Sequence, residues 1–146
     1  MRETVSLDFE LASPIARVWH ALTDAAVLSR WTFFDTDDFR AVVGHRFHFR
    51  GKESTGWTQV IECEVLDVDE PRRISYTWVT AAWGANGDEG KHETVVTWTL
   101  RPAADGGTHL HLEQSGFDAS ATREIGGARY GWTAQLAELQ RLLAAA

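Results

Sequence analysis

The side chains of this 146-residue chain that could do chemistry are few and scattered. Of six histidines, His109 and His111 stand two apart on a strand-like segment, a spacing that sets both imidazoles on one face where they could chelate a metal. Leu110 and Leu112 claim the core-facing side, however, so the histidine face points to solvent. With no third ligand beside it, no metal site is expected. His45 and His48, three apart on a strand, fall on opposite faces and are not expected to act together, and His20 beside Trp19 reads as a partly exposed helix residue. Glu62 and Glu64 share a face, as the paired carboxylates of acid and base catalysis do, but Ile61 and Cys63 take the inward parity and leave both carboxylates in solvent. Cys63 is expected to be a buried, inert thiol, because no histidine is placed to activate it. Asp35, Asp37 and Asp38 form an acidic loop short of the ligands calcium requires, and serve solubility. The glycines at 84–90, 106–107 and 126–127 lack the strand-to-helix setting of a phosphate loop and read as turns and a helix irregularity.

No complete catalytic constellation is readable in this inventory. Gln114 stands apart as the polar member of an inward apolar series, and a buried amide needs partners. A neighbouring backbone group would serve, and so would the carbonyl or hydroxyl of a ligand. Gln59 is a weaker case of the same kind. Tyr130 and Arg129, a turn or less from Trp132, could add polar anchors, although Arg129 reads as part of an exposed helix face.

The elements that must position these residues follow from periodicity. Residues 3–12 alternate, with Val5, Leu7, Phe9 and Leu11 on one side and Thr4, Ser6, Asp8 and Glu10 on the other, as a half-buried strand does. Ser13 stands where an N-cap belongs and Pro14 at a first helical position, followed by the apolar stripe Ile15, Val18, Trp19 and Leu22. A second short helix is expected from about Asp24, with Val27, Leu28 and Trp31 inward. From Asp35 to Ser115 the period is two, broken by turns at Val43-Gly44, Lys52 to Gly56, Asp69 to Arg72, Gly84 to Gly90 and Asp105 to Gly107. In the strand running from Trp57, parity slips: Ile61, Cys63 and Val65 give way to Leu66 and Val68, which predicts a bulge that bends the strand. Last comes an amphipathic helix over 121–144, its apolar residues Ile125, Ala128, Trp132, Leu136, Leu139 and Leu143 at helical spacing. That stripe needs a partner. The inward strand faces carry Phe47, Phe49, Trp57, Tyr76, Trp78 and Trp98, large rings that suit a curved antiparallel sheet closing over the helix.

Length and composition bound the rest. One α+β domain over residues 1–146 is expected, large enough to bury its own core. A formal charge of -7 without a basic face excludes general nucleic-acid binding. A single cysteine excludes an internal disulfide, and the opening MRETVSLDFEL lacks the features of a secretion signal, so a cytoplasmic location is expected. No stretch is apolar enough to span a membrane.

Four segments carry a resemblance to a known family: SPIARVWHALTDAAVLSRW at 13–31, EVLDVDEPRRISYTW at 64–78, THLHLEQSGF at 108–117 and GWTAQLAELQRLL at 131–143. Together they resemble the SRPBCC superfamily, which includes the START and birch-pollen-allergen groups, and within it the branch similar to the activator of heat-shock protein 90 ATPase. The resemblance implies the helix-grip fold, a seven-stranded curved antiparallel sheet wrapped around a long C-terminal helix with two short helices between strands one and two. It also implies a mostly apolar cavity between sheet and helix. The expected function is binding of a small hydrophobic or aromatic molecule, without cofactor or metal, by a monomer or homodimer. Its expected wall comprises Trp31, Phe33, Phe49, Trp57, Tyr76, Trp78, Trp98 and Trp132, with Gln114 and Tyr130 orienting the guest. A polyketide cyclase or hydratase using the same cavity is the alternative, and a chaperone-associated or self-associating module is another. Trp83 would then serve as a lid or dimer contact.

Overall fold

The computed structural model describes residues 2–52, 60–81 and 91–144. Trp57, Gln59, Trp83, the turn at 84–90 and most of the turn expected at 52–56 lie outside these residues. The elements run β1 (Arg2–Leu11), α1 (Ile15–Thr23), α2 (Ala25–Trp31), β2 (Phe34–Asp35), β3 (Arg46–Gly51), β4 (Val60–Asp69), β5 (Arg73–Ala81), β6 (Lys91–Pro102), β7 (Thr108–Asp118) and α3 (Thr122–Ala144). All seven strands join one antiparallel sheet in the order β1-β7-β6-β5-β4-β3-β2, so β1 and the two-residue β2 form its edges.

Two bulges bend this sheet into the curl that accepts a helix. On β4 the register with β5 shifts between Val65 and Asp67, where the parity slip predicts it. Leu66, expected inward, is the bulged residue and stands 43% exposed, so the buried series runs from Val65 to the half-buried Val68 instead. On β7 the extra residue is Gly116, whose φ of 98° is left-handed and open to glycine at little cost. Past the shift Phe117 stands opposite Glu3 and is buried.

The helical wedge is built from local capping and tertiary ties. Asp24 caps α2, its carboxylate accepting from the Val27 amide. Ser13 does not cap α1: Pro14 holds that position in extended backbone, and the buried Ser13 offers its carbonyl to the Thr108 hydroxyl across the sheet. Trp31 closes the wedge with its indole N–H on the Ala21 carbonyl, 2.9 Å away.

Helix α3 runs without interruption through Gly126 and Gly127, where an irregularity is expected from the sequence. Its burial is uneven. Ile125 and Ala128 are only half-buried, whereas Trp132, Gln135, Leu136, Leu139 and Leu143 are buried against the sheet and the wedge. Each fully buried leucine contributes about 1.5–3 kcal/mol to this layer contact.

Candidate functional site

Alternation on β3, β5 and β6 aims Phe47, Phe49, Tyr76, Trp78, Val96 and Trp98 at the concave side, and the ladder brings them together. Phe47 stands opposite Cys63, Tyr76 opposite Val96, and Trp98 opposite both Ile74 and Leu112. The wedge adds Trp31, β2 adds Phe34, and α3 adds Trp132. The rings form one connected set. Trp98 meets Trp31 at 6.1 Å and Trp132 at 5.5 Å between centroids, both edge to face. Trp78 links Trp132 at 5.3 Å to Phe49 at 5.4 Å, and Phe47 joins Phe49 to Tyr76. Of the expected wall, Trp31, Phe49, Tyr76, Trp78, Trp98 and Trp132 therefore converge.

Phe33 is half-buried at the edge of this set, and its amide donates to Gln135 Oε1 at 2.8 Å. Tyr130 is not in the wall. Its place on the outer face of α3 leaves it 76% exposed, two residues before the turn at which the helix becomes buried. Trp57 lies outside the described residues.

The polar atoms among the rings are tied to one another. Trp132 Nε1 donates to Gln114 Oε1 at 2.7 Å, Gln114 Nε2 donates to Thr94 Oγ1 at 2.8 Å, and the Thr94 hydroxyl passes on to the Trp78 carbonyl at 3.3 Å. Gln114 thus meets side chains of α3 and β6 rather than a backbone group. A second pair sits deeper: Trp98 Nε1 donates to the Tyr76 hydroxyl oxygen at 2.9 Å. Burial pushes the Tyr76 phenol far above its ordinary value despite that N–H, so it stays protonated. The Cys63 thiol is likewise pushed up by burial, with the Asp38 and Glu62 charges adding to it, which keeps it from acting as a nucleophile.

Several residues of this set carry no clear sequence signal. Phe39 sits in a loop between charged residues yet packs on Phe47 at 4.7 Å and on Tyr76 at 6.3 Å. Thr94 and Gln135 are polar but buried. Parity with Val96 and spacing from Trp132 mark their faces, and their polarity hides it.

Outside the ring set, two expectations are corrected. His45 precedes β3 rather than lying on it, so the opposite-face rule does not apply. His45 Nε2 reaches the Asp38 carbonyl at 2.5 Å while His48 Nδ1 reaches the Asp38 carboxylate at 3.2 Å. The two histidines converge on one residue. Asp38 is accordingly a structural tie rather than a solubilising charge. Burial opposes its ionisation, but the His48 amide and ring and the Thr36 hydroxyl hold its carboxyl below the ordinary range. On the outer sheet face His109 and His111 lie among carboxylates, with Asp8 Oδ1 at 2.9 and 2.8 Å from the two rings, and no group of described residues is arranged to hold a metal.

A bowed antiparallel sheet gripping one long C-terminal helix, with two short helices after the first strand, defines a helix-grip domain of the SRPBCC superfamily, a fold that typically binds small ligands. The family model described as "Activator of Hsp90 ATPase homolog 1-like protein" matches residues 12–144, and the chain belongs to that family. It is similar to protein MLL2253 from Mesorhizobium loti, with 37% identity over 97% of each chain and a TM-score of 0.84. Protein Ms6760 from Mycobacterium smegmatis shares 21% identity over 97% of this chain and 91% of its own, with a TM-score of 0.81. CalU16 from Micromonospora echinospora shares 25% over 94% of this chain and 74% of its own, with a TM-score of 0.72. No curated protein matches the sequence. Among the described residues no helix is long and apolar enough to cross a membrane.

Proposed function

We propose that this domain binds a small hydrophobic or aromatic molecule between the curved sheet and α3. One observation supports this best: the concave face carries a connected set of aromatic rings, and every buried polar side chain among the described residues is uncharged. Edge-to-face ring contacts are each worth about 0.5–1.5 kcal/mol, so a planar guest can take over such contacts at little net cost. The gain then comes from the guest's own apolar surface leaving water, about 25 cal/mol per Å². A cyclase or hydratase would need a base beside its substrate, and the buried ring set has no carboxylate or imidazole to offer. Binding is the function this geometry favours.

Five of the seven tryptophans belong to the described wedge and ring set, so indole emission reports directly on the site. Titration with fatty acids, flavonoids and polyketides is expected to give a saturable change for at least one class. A flat response to all three would remove the proposal.

A further inference from the structure

Among the described residues three donors of the ring set have no acceptor, the second amide proton of Gln114, the Trp78 indole N–H and the Tyr76 hydroxyl proton, and Tyr76 is the most deeply buried of the three residues. Trp31, Trp98 and Trp132 each spend their single N–H inside the protein, and Thr94 both accepts and donates. Tyr76 is 1% exposed, and its oxygen already accepts from Trp98. Its own hydroxyl proton meets no acceptor among the described residues. The oxygen is satisfied by that one bond, and its proton is left to donate to a guest. The proton also sits at a junction, because the Tyr76 ring packs with Phe39, Phe47 and Phe49 while its hydroxyl reaches the tryptophan group through Trp98.

Resting on the binding function proposed above, we propose that Tyr76 is the polar anchor for the ligand, donating its hydroxyl proton to a carbonyl oxygen of a neutral aromatic ketone or polyketide-like molecule. Three features select that class. The rings require a flat apolar body, and the unspent proton requires an acceptor. The absence of any buried charge among the described residues disfavours a carboxylate or an amine, whose charge would enter unpaired. Tyr76 thereby takes the orienting role that the exposed Tyr130 cannot fill.

Two naphthalenes of nearly equal size test this, 2-acetylnaphthalene and 2-isopropylnaphthalene, which differ in whether an oxygen or a methyl group stands at the branch. In calorimetric titration the wild type is expected to bind the ketone about three to ten times more tightly, the worth of one hydrogen bond. Tyr76→Phe should bind both and lose the preference. That variant strips Trp98 of its acceptor and can cost stability, so the carbonyl stretch of the ketone bound to wild-type protein provides a second measurement. It is expected at the lowered frequency of a hydrogen-bonded ketone. Decanoate, ionised at about pH 8, is expected to bind more weakly than the ketone. Equal affinity for the two naphthalenes, an unshifted stretch, a preference that survives in Tyr76→Phe, or tighter decanoate binding would each overturn the assignment while leaving ligand binding intact. Equal affinity is also the result if a buried water is the acceptor. Failure of both naphthalenes and decanoate to bind would overturn the assignment together with the binding function beneath it.

Discussion

Gln114 joins two elements at a single side chain, accepting from Trp132 on α3 and donating to Thr94 on β6. Replacing it with leucine roughly keeps the volume and orphans the buried Trp132 indole N–H, while the Thr94 hydroxyl keeps its bond to the Trp78 carbonyl. Gln114→Leu is therefore expected to lower the unfolding free energy by about 1–3 kcal/mol for the N–H left unpaired, read from urea denaturation. An unchanged midpoint would mean that apolar packing alone holds α3 in place. At the outer face the chemistry is ionic. Both nitrogens of His109 face carboxylate oxygens, Glu10 at 2.5 Å and Asp8 at 2.9 Å, and both nitrogens of His111 face Asp8 at 2.8 Å and Glu113 at 3.0 Å. Carboxylates only accept, so each ring must carry two protons to satisfy this arrangement. The bonds to Glu10 and Asp8 raise His109 above its ordinary value of 6.5, with desolvation and then Arg101 on β6 opposing them. Burial works against the charge on His111, and Asp8 and Glu113 outweigh it. Asp8 is held below its ordinary 3.8 by His111 and His109. The histidine contribution to stability is whole below about 6.5 and fades as pH rises through the raised folded values. The Asp8 contribution is whole above 3.8 and fades as pH falls through its lowered folded value. The clamp between β1 and β7 is thus strongest between those limits. Asp8→Asn is expected to lower the titration midpoints of both imidazoles in an NMR pH series, and static midpoints would disprove the coupling.

Glycine has opposite consequences in two elements. In α3, a Cβ added at Gly126 or Gly127 would meet nothing within 4 Å, so each glycine costs helix stability with no packing return. Gly126→Ala and Gly127→Ala are each expected to raise stability by about 0.4–1 kcal/mol, seen as higher thermal midpoints. At Gly107, beginning the approach to β7, a Cβ would fall 2.3 Å from the Leu11 carbonyl oxygen, which is backbone and cannot swing away. Gly107→Ala should destabilise by about 1–3 kcal/mol or more, and the same thermal melts decide it. The N-terminal part of α3 that carries Gly126 and Gly127 is mostly exposed, and the buried stripe runs from Trp132 to Leu143.

At the scale of the molecule, binding and folding are linked, because the proposed site lies in the same ring set that joins sheet, wedge and α3. A ligand that binds only the folded chain adds about 2.7 kcal/mol at a hundredfold excess over its Kd, so the thermal midpoint must climb with concentration. The ligand class found by indole titration is expected to be the one that raises it, and a saturating ligand that leaves the midpoint unmoved would lie outside this fold's interior. Trp31, Trp78, Trp98 and Trp132 were legible as inward-facing residues because each sits in an apolar period. Phe39 was not, since a loop has no period, and Tyr130 misleads because it is near Trp132 in sequence but two positions away, a rotation of about 200° that puts it outside the buried stripe.

Most strand, helix and face assignments were contained in the sequence, with Leu66 and His45 as exceptions, since periods of two and of three to four residues are local properties that each segment carries alone. The bulge near Val65 was contained there too, as a break in that period. Only the tertiary structure decided which partners meet. Gln114 finding Trp132 and the Tyr76 hydroxyl accepting from Trp98 depend on how distant segments meet across a sheet bent at Leu66 and Gly116, while the two histidines reach Asp38 through the path of the loop between β2 and β3. Register is a relation between distant segments, and no single segment records it.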